Sequence, residues 1–155
     1  MSGGQRVAEF CLRGSRLSQD ELERYFQALL QGFLDGDLEL LAKRFDTPLV
    51  VYSVSGVVVL QTVEDIVQRM KMYRDALLSL TALSGRFELI SEDSLVNNRL
   101  RVTVRAVYFG RDGEEVTENL AQYFLVRRDD ALIVEMIEYL DTVGSPEEAK
   151  QTSVH

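Results

Sequence analysis

Few side chains in this sequence could act as nucleophiles, bases or metal ligands. Cys11 is the only cysteine, and the only histidine is His155 at the C-terminal end. A Ser-His-Asp or Cys-His triad therefore cannot form inside a fold, and neither can a histidine-rich or cysteine-rich metal site. An all-carboxylate site for Mg²⁺ or Ca²⁺ stays open, but the sequence has no DxDxDG-type loop. We therefore expect neither a metal nor another cofactor.

The remaining polar candidates lie on two segments with the alternation of β-strands. Asn119 and Tyr123 share a face of one segment, and Met136 and Glu138 share a face of the next. A buried Glu138 would lose water and its pKa would rise, as a general base requires, while a buried amide and phenol could orient a carbonyl or enolate oxygen. Alternatively, Glu138 lies at a wet edge or pairs with an arginine, and the amide and phenol satisfy each other or the backbone.

Helices are predicted in the first half of the chain. The segment Ser18–Glu21 matches a capping box, apolar residues follow it three and four positions apart, and Gly36 marks the end of this helix. Asp37 is placed to cap a short second helix. The segment Thr62–Asp65 matches a second capping box, which predicts a third helix.

The rest of the chain is predicted to form an antiparallel or mixed sheet. A predicted hairpin rich in β-branched residues follows Pro48. After Gly85, apolar residues recur at every second position. The predicted strands are 49–54, 57–60, 86–95, 98–109, 114–127 and 131–141. The fold class is therefore α+β, with helices covering the apolar face of the sheet.

Composition limits the partners and the location. The 155 residues carry a net charge of −8 with a pI of about 4.7, so nucleic acid is not an expected partner. No apolar run is long enough for a membrane helix, and the N-terminus lacks the apolar stretch of a secretory signal, so we expect a cytoplasmic protein with no membrane partner. Residues 1–17 suggest a flexible arm and 143–155 a polar tail, which leaves 18–142 as one domain.

Three motifs resemble the nuclear transport factor 2-like superfamily, and within it the SnoaL-like group. Phe33–Leu41 is similar to the pattern f-x-x-g-D-l-d-x-l, Val63–Ile66 to G-x-e-a-I, and Leu132–Asp141 to K-I-x-x-x-x-e-Y-x-D. The resemblance implies a cone in which a curved sheet wraps three helices around an apolar pocket. It also implies dimerisation through the outer face of the sheet.

The family's catalytic residues do not carry over to this chain. Many members place an acidic residue just before the first strand, where Pro48 stands here. The isomerase-type aspartate would fall near Ser53 and the catalytic tyrosine near Leu29. Whether the protein is an enzyme is therefore left open.

The resemblance also implies which faces point into the cone. It places Glu138 there as the candidate base. The other residues predicted to contact a ligand are Tyr52, Tyr108, Asn119, Tyr123 and Met136. The leading hypothesis is a cone that binds a small apolar or carbonyl-bearing molecule, with isomerase-like or cyclase-like proton transfer as an option. The alternative is a non-catalytic dimerisation or protein-interaction module with a filled core.

The outer face is predicted to form a homodimer. By the same alternation it carries Leu120, Phe124, Ile137 and Tyr139 among arginines and glutamates. Four apolar side chains on a face without helices call for a second surface to cover them.

Overall fold

In a computed structural model of the protein, the structure describes residues 18–141. The predicted arm, 1–17, and the predicted tail, 143–155, lie outside the described residues. In the described part, no helix is long and apolar enough to cross a membrane.

Helices form where the capping signals predict them. They are α1 (Gln19–Asp35), α2 (Leu38–Ala42) and α3 (Val63–Ser79). Ser18 Oγ accepts from Glu21 N at 3.2 Å, and Thr62 Oγ1 accepts from Asp65 N at 3.1 Å, so both capping boxes are present. Gly36 ends α1 at a φ of 85°, which only glycine adopts without strain. Asp37 occupies the N-cap position of α2, but its side chain makes no capping hydrogen bond.

Six strands form one mixed sheet in the order β2-β1-β6-β5-β4-β3. The strands are β1 (Phe45–Ser53), β2 (Gly56–Leu60), β3 (Ser84–Ser94), β4 (Arg99–Phe109), β5 (Glu115–Arg128) and β6 (Ala131–Tyr139). β1 and β6 pair in parallel, and the other neighbours are antiparallel. The predicted α+β cone with a mixed sheet is confirmed. β1 begins four residues earlier than predicted because Val134 N donates to Arg44 O at 2.8 Å, before Pro48 is reached.

The core lies between the helices and one face of the sheet, which we call the inner face. Leu22 and Ile66 from the helices pack against Val102, Leu125 and Val134 from the strands. Burying each such side chain contributes about 1.5–3 kcal/mol relative to leaving it in water. None of the three described helices lies on the opposite, outer face.

A β-bulge at Glu135 changes which side chains of β6 reach the inner face. Val134 pairs with Leu125 and Met136 with the adjacent Phe124, so Glu135 is an extra residue between them. Val134 is 0% exposed and inward, whereas after the bulge the inward residues are Ile137 and Tyr139, both of which line the inner cavity.

The expected face assignments on β6 are therefore wrong beyond Val134. Met136 and Glu138 were expected inward, but Glu138 is the cross-strand partner of Gln122, whose neighbours Ala121 and Tyr123 point into the core. Cross-strand partners share a face, so Glu138 lies on the outer face. Conversely, Ile137 and Tyr139 were expected on the outer face and lie on the inner one.

Ion pairs surround the bulge. Arg99 Nε and Nη2 donate to the two Glu135 carboxylate oxygens at 2.8 and 3.0 Å, and Arg128 Nη2 reaches the same carboxylate at 3.4 Å. Two arginines on neighbouring strands thus fix the extra residue toward the outer face.

Candidate functional site

A cavity of about 130 Å³ lies between the helices and the inner face of the sheet. Its walls come from α1, α2, α3 and all six strands, and most of the lining side chains are aliphatic or aromatic. The spacing of three and four residues along α3 places Ile66, Arg69, Met70 and Tyr73 on the side that faces it. The cavity is the apolar interior that a cone-shaped fold encloses.

One polar group in the cavity is formed by Tyr73, Tyr108 and Asn119. Asn119 is buried, and its Nδ2 donates to Tyr73 Oη. Burial raises the pKa of both phenols above the usual value, and the hydrogen bond with Asn119 lowers each in smaller measure. Both phenols are therefore neutral at physiological pH.

A second polar group is formed by Tyr123 and Tyr139. Burial raises the pKa of Tyr123 to about 12 and raises that of Tyr139 well above its usual value. Tyr123 packs edge-on against the Phe26 ring at 5.2 Å, and Tyr139 lies 6.3 Å from the Tyr73 ring, which fixes both side chains. Within residues 18–141, neither hydroxyl hydrogen-bonds another residue. Both phenols retain their proton and line the cavity.

Arg69 is the one charged side chain on the cavity wall in the described part of the chain. It is half-buried, and its positive charge lowers the pKa of Tyr139 against the larger, opposite effect of burial and two neighbouring tyrosines. The guanidinium and the Tyr139 phenol line the same cavity. The cavity is thus an apolar space with neutral phenols, one amide and one cation.

The structure brings together three of the predicted site residues. Tyr108, Asn119 and Tyr123 line the cavity, as their strand positions indicated. Whether they bind a ligand stays a prediction.

The other three predicted site residues lie on the outer face. Met136 pairs with Phe124 and Glu138 with Gln122 on that face, which corrects their expected inward position. Tyr52, expected at the pocket rim, is the β1 partner of Glu138 and is 40% exposed. Val51, next to Tyr52, lines the cavity instead, as the alternation along a strand requires.

Sequence reasoning did not assign Tyr139 and Arg69 to the cavity. Arg69 lies between Ile66 and Tyr73 on the predicted inner side of α3, so the helical period could have found it. Tyr139 reaches the cavity only because of the bulge at Glu135. Among residues 18–141, no cluster of three or more histidine, cysteine, aspartate or glutamate side chains could hold a metal ion.

Comparisons with known proteins agree with this architecture. An NTF2-like protein with a cystatin-like fold from Novosphingobium aromaticivorans is 14% identical, with a TM-score of 0.62 over 96% of this chain and 94% of that one. The protein Aln2 from a Streptomyces species is 16% identical, with a TM-score of 0.60 over 80% and 93%. A putative calcium/calmodulin dependent protein kinase II association domain from Xanthomonas campestris is 12% identical, with a TM-score of 0.57 over 80% and 87%.

These structural likenesses establish the fold. No curated protein sequence matches the chain. The SnoaL-like subgroup stays a prediction. The family described as NTF2-like protein (DUF6841) matches residues 18–138, which is most of the sequence. The chain belongs to this NTF2-like family.

Proposed function

We propose that the protein binds a small, mostly apolar molecule through a hydrogen-bond acceptor such as a carbonyl oxygen. The observation that carries this proposal is that Tyr123 and Tyr139 line the cavity while neither hydroxyl pairs with another residue in 18–141. Both side chains are half-buried, so each hydroxyl can face space in the cavity that a ligand oxygen could occupy, and one such hydrogen bond contributes about 0.5–1.5 kcal/mol.

The electrostatics of the site favour an acceptor. The raised pKa values of Tyr123 and Tyr139 keep both hydroxyls protonated, so they offer hydrogens to a ligand. The aliphatic and aromatic walls would stabilise an apolar body by removing it from water.

The volume indicates the size of that body. About 130 Å³ is close to the roughly 150 Å³ of an engineered apolar cavity that takes up benzene. It is below the roughly 300–1,000 Å³ of pockets that hold drug-sized ligands. The expected ligand therefore places one ring or a short branched chain in the cavity.

The site supports binding rather than proton transfer. The lining residues in the described part include no carboxylate and no imidazole, and Glu138 lies on the outer face. A general base must come within hydrogen-bond reach of the proton that it removes. Isomerase-like or cyclase-like chemistry at Glu138 is therefore not part of the proposal.

The experiment compares acetophenone with α-methylstyrene, which has a similar shape without the carbonyl oxygen. Titrations followed by NMR chemical shifts would measure both affinities in the wild type and in Tyr123→Phe and Tyr139→Phe. Each variant should weaken acetophenone binding about fivefold and leave α-methylstyrene unchanged, because only one neutral hydrogen bond is lost.

Tyr52→Phe is the matched control, since it removes the same hydroxyl from the outer face. It should leave both affinities unchanged. Tyr123→Phe should also change the stability at neutral pH little, because the hydroxyl has no hydrogen bond to another residue in 18–141 that could be lost. No binding of either probe, or an equal effect of the Tyr52 variant, would contradict the proposal.

A second proposal concerns assembly: the outer face forms a homodimer. The supporting observation is a row of four apolar side chains in register across four strands, which we call the outer row. Its members are Val59, Val50, Met136 and Phe124. Of the sequence-predicted patch, Phe124 belongs to this row, and Leu120 lies two rows away opposite Arg105. Met136 takes the place expected for Ile137 and Tyr139.

The surroundings of the outer row suit a second copy of the same surface. The adjacent row adds Tyr52 and Val57, which are 40% and 56% exposed. Beyond the outer row, on β4 and β3, lie two ion pairs: Arg101 with Asp93 and Arg105 with Glu88. In a two-fold interface the same surface of both subunits meets, so positive and negative side chains at its rim can pair between subunits.

Sedimentation at micromolar concentration would test the dimer. Met136→Lys should convert a dimer to a monomer, because it places a charge in the centre of the apolar row. Val96→Lys, at a position that is 77% exposed in the β3–β4 turn, is the control and should leave the mass unchanged. A wild-type chain that is monomeric at this concentration would refute this proposal.

The cytoplasmic location stays a prediction.

A further inference from the structure

We propose that the natural ligand is an anion, a small carboxylate whose apolar body fills the cavity while its carboxylate pairs with Arg69. This inference rests on the proposed function and adds the charge of the ligand to it. It starts from the one charged side chain on the cavity wall within residues 18–141.

The sign of that charge contrasts with the rest of the molecule. The chain carries 25 acidic and 17 basic residues, for a net charge of −8. Arg69 is half-buried, as several charged side chains of the sheet are, but among the described charged residues it is the one that contributes to the cavity wall. Because this cation borders an apolar space, a ligand carboxylate in the cavity would meet a charge of opposite sign, in addition to the interaction that Arg69 already makes within the protein.

The neighbouring groups complete an anion site. Arg69 and Tyr139 both line the cavity, and the positive charge of Arg69 lowers the pKa of the Tyr139 phenol against the larger effect of burial. The Tyr139 hydroxyl makes no hydrogen bond within residues 18–141, so a guanidinium and a neutral phenol can donate to one carboxylate. Charge-assisted hydrogen bonds of this kind are about twice as strong as neutral ones.

Arg69 has a further interaction within the protein, which is compatible with this role. A guanidinium has five N–H donors in a planar fork, so it can hold one partner and still receive a carboxylate edge-on. The existing interaction would fix the side chain at the cavity wall before the ligand arrives, which reduces the entropy lost on binding.

The experiment compares benzoate with benzamide, which has the same ring and a neutral amide head. Isothermal titration at low salt would measure both affinities for the wild type, Arg69→Gln and Arg69→Lys. We expect the wild type to prefer benzoate, Arg69→Gln to weaken benzoate roughly tenfold while keeping benzamide, and Arg69→Lys to retain part of the preference.

Lys71→Gln is the matched control. It removes one positive charge from the same helix at an exposed position, where Lys71 Nζ pairs with Asp75 at 3.2 Å. This variant should leave the benzoate preference unchanged. A similar loss in Lys71→Gln would show that overall charge, not the site, governs the preference, and would overturn the inference.

The remaining outcomes separate the inference from the proposed function. Benzamide binding as well as benzoate, or better, in the wild type overturns the anion site and leaves the binding cavity intact. Binding of neither benzoate nor benzamide overturns the anion inference, and the separate titration with acetophenone then decides whether the proposed function stands. If Arg69→Gln fails to fold, a lost preference in the folded Arg69→Lys variant would overturn the role of the charge.

Discussion

Two neighbouring residues of β5 face opposite environments. Tyr123 lies on the inner face, where burial raises its pKa to about 12, and it has no hydrogen-bond partner within residues 18–141. Gln122 lies on the outer face and donates to Thr103 Oγ1 on β4 at 3.4 Å. The Tyr123 phenol therefore faces an apolar cavity, whereas the Gln122 amide pairs with the neighbouring strand. A function that needs a hydrogen-bond donor beside an apolar space belongs on the inner face.

The largest expected difference between the faces is in packing. Leu125→Ala, on the inner face of β5 at 0% exposure, should lower the free energy of unfolding by about 2–5 kcal/mol, because it leaves a cavity in the core. Gln122→Ala, on the outer face of the same strand, should change it by less than about 0.5 kcal/mol. Urea unfolding of both variants would measure this. Equal losses would mean that the outer face is as closely packed as the inner one.

An intermediate effect is expected at alkaline pH. The folded-state pKa of Tyr123 is raised, so its contribution to stability is fully present below the unfolded value near 10 and is lost as the pH rises toward 12. The loss approaches about 3 kcal/mol for this phenol once the pH exceeds the folded value, at about 1.4 kcal/mol for each unit of pKa difference. Tyr123→Phe should remove that part of the pH dependence. Unfolding at a series of pH values would measure it, and an unchanged slope would mean that Tyr123 is not buried in its neutral form.

The smallest effect is expected at a surface ion pair. Arg128 hydrogen-bonds Asp46 at 2.9 and 3.2 Å and lowers the pKa of that carboxyl. The contribution of Asp46 is therefore present above the unfolded value near 3.9 and is lost as the pH falls through the lower folded value. Asp46→Asn should shift Tm at neutral pH by less than about 2 °C, since a solvent-screened pair contributes little. Calorimetry at neutral and acidic pH would test this, and a large shift at neutral pH would show that the pair is shielded from water.

The sequence predicts the helices and most strand positions because their signals are local. Both capping boxes and the glycine at the end of α1 each depend on a few adjacent residues, and the alternation along β4 places Tyr108 on the inner face. The same alternation on β5 places Asn119 and Tyr123 correctly. Local signals thus identify half of the candidate site.

The wrong placement of Met136 and Glu138, and the missed Tyr139, depend on a feature that alternation does not reveal. The bulge at Glu135 is held by Arg128 on β5 and by Arg99 on β4, which lies 36 residues earlier in the sequence. A shift of one residue moves every later side chain to the other face. This exchanged Tyr139 for Glu138 at the cavity and replaced a candidate base with a hydrogen-bond donor.

The parallel pairing of β1 with β6 also has a consequence for the order of folding. Val51 pairs with Ile137 in the middle of the sheet. β1, the first strand in the sequence, therefore obtains its second neighbour only when β6, the last strand, is in place. Until β6 is available, β2 and β1 can form only a hairpin, and β3, β4 and β5 can form only a separate meander. No other strand of the sheet joins these two parts. Pairing β1 with β6 closes the long loop formed by the chain between them, and closing such a loop is slow. In a pulse-labelling experiment, the hairpin and the meander should therefore gain protection from hydrogen exchange together. During synthesis the sheet would then stay open until its final strand leaves the ribosome.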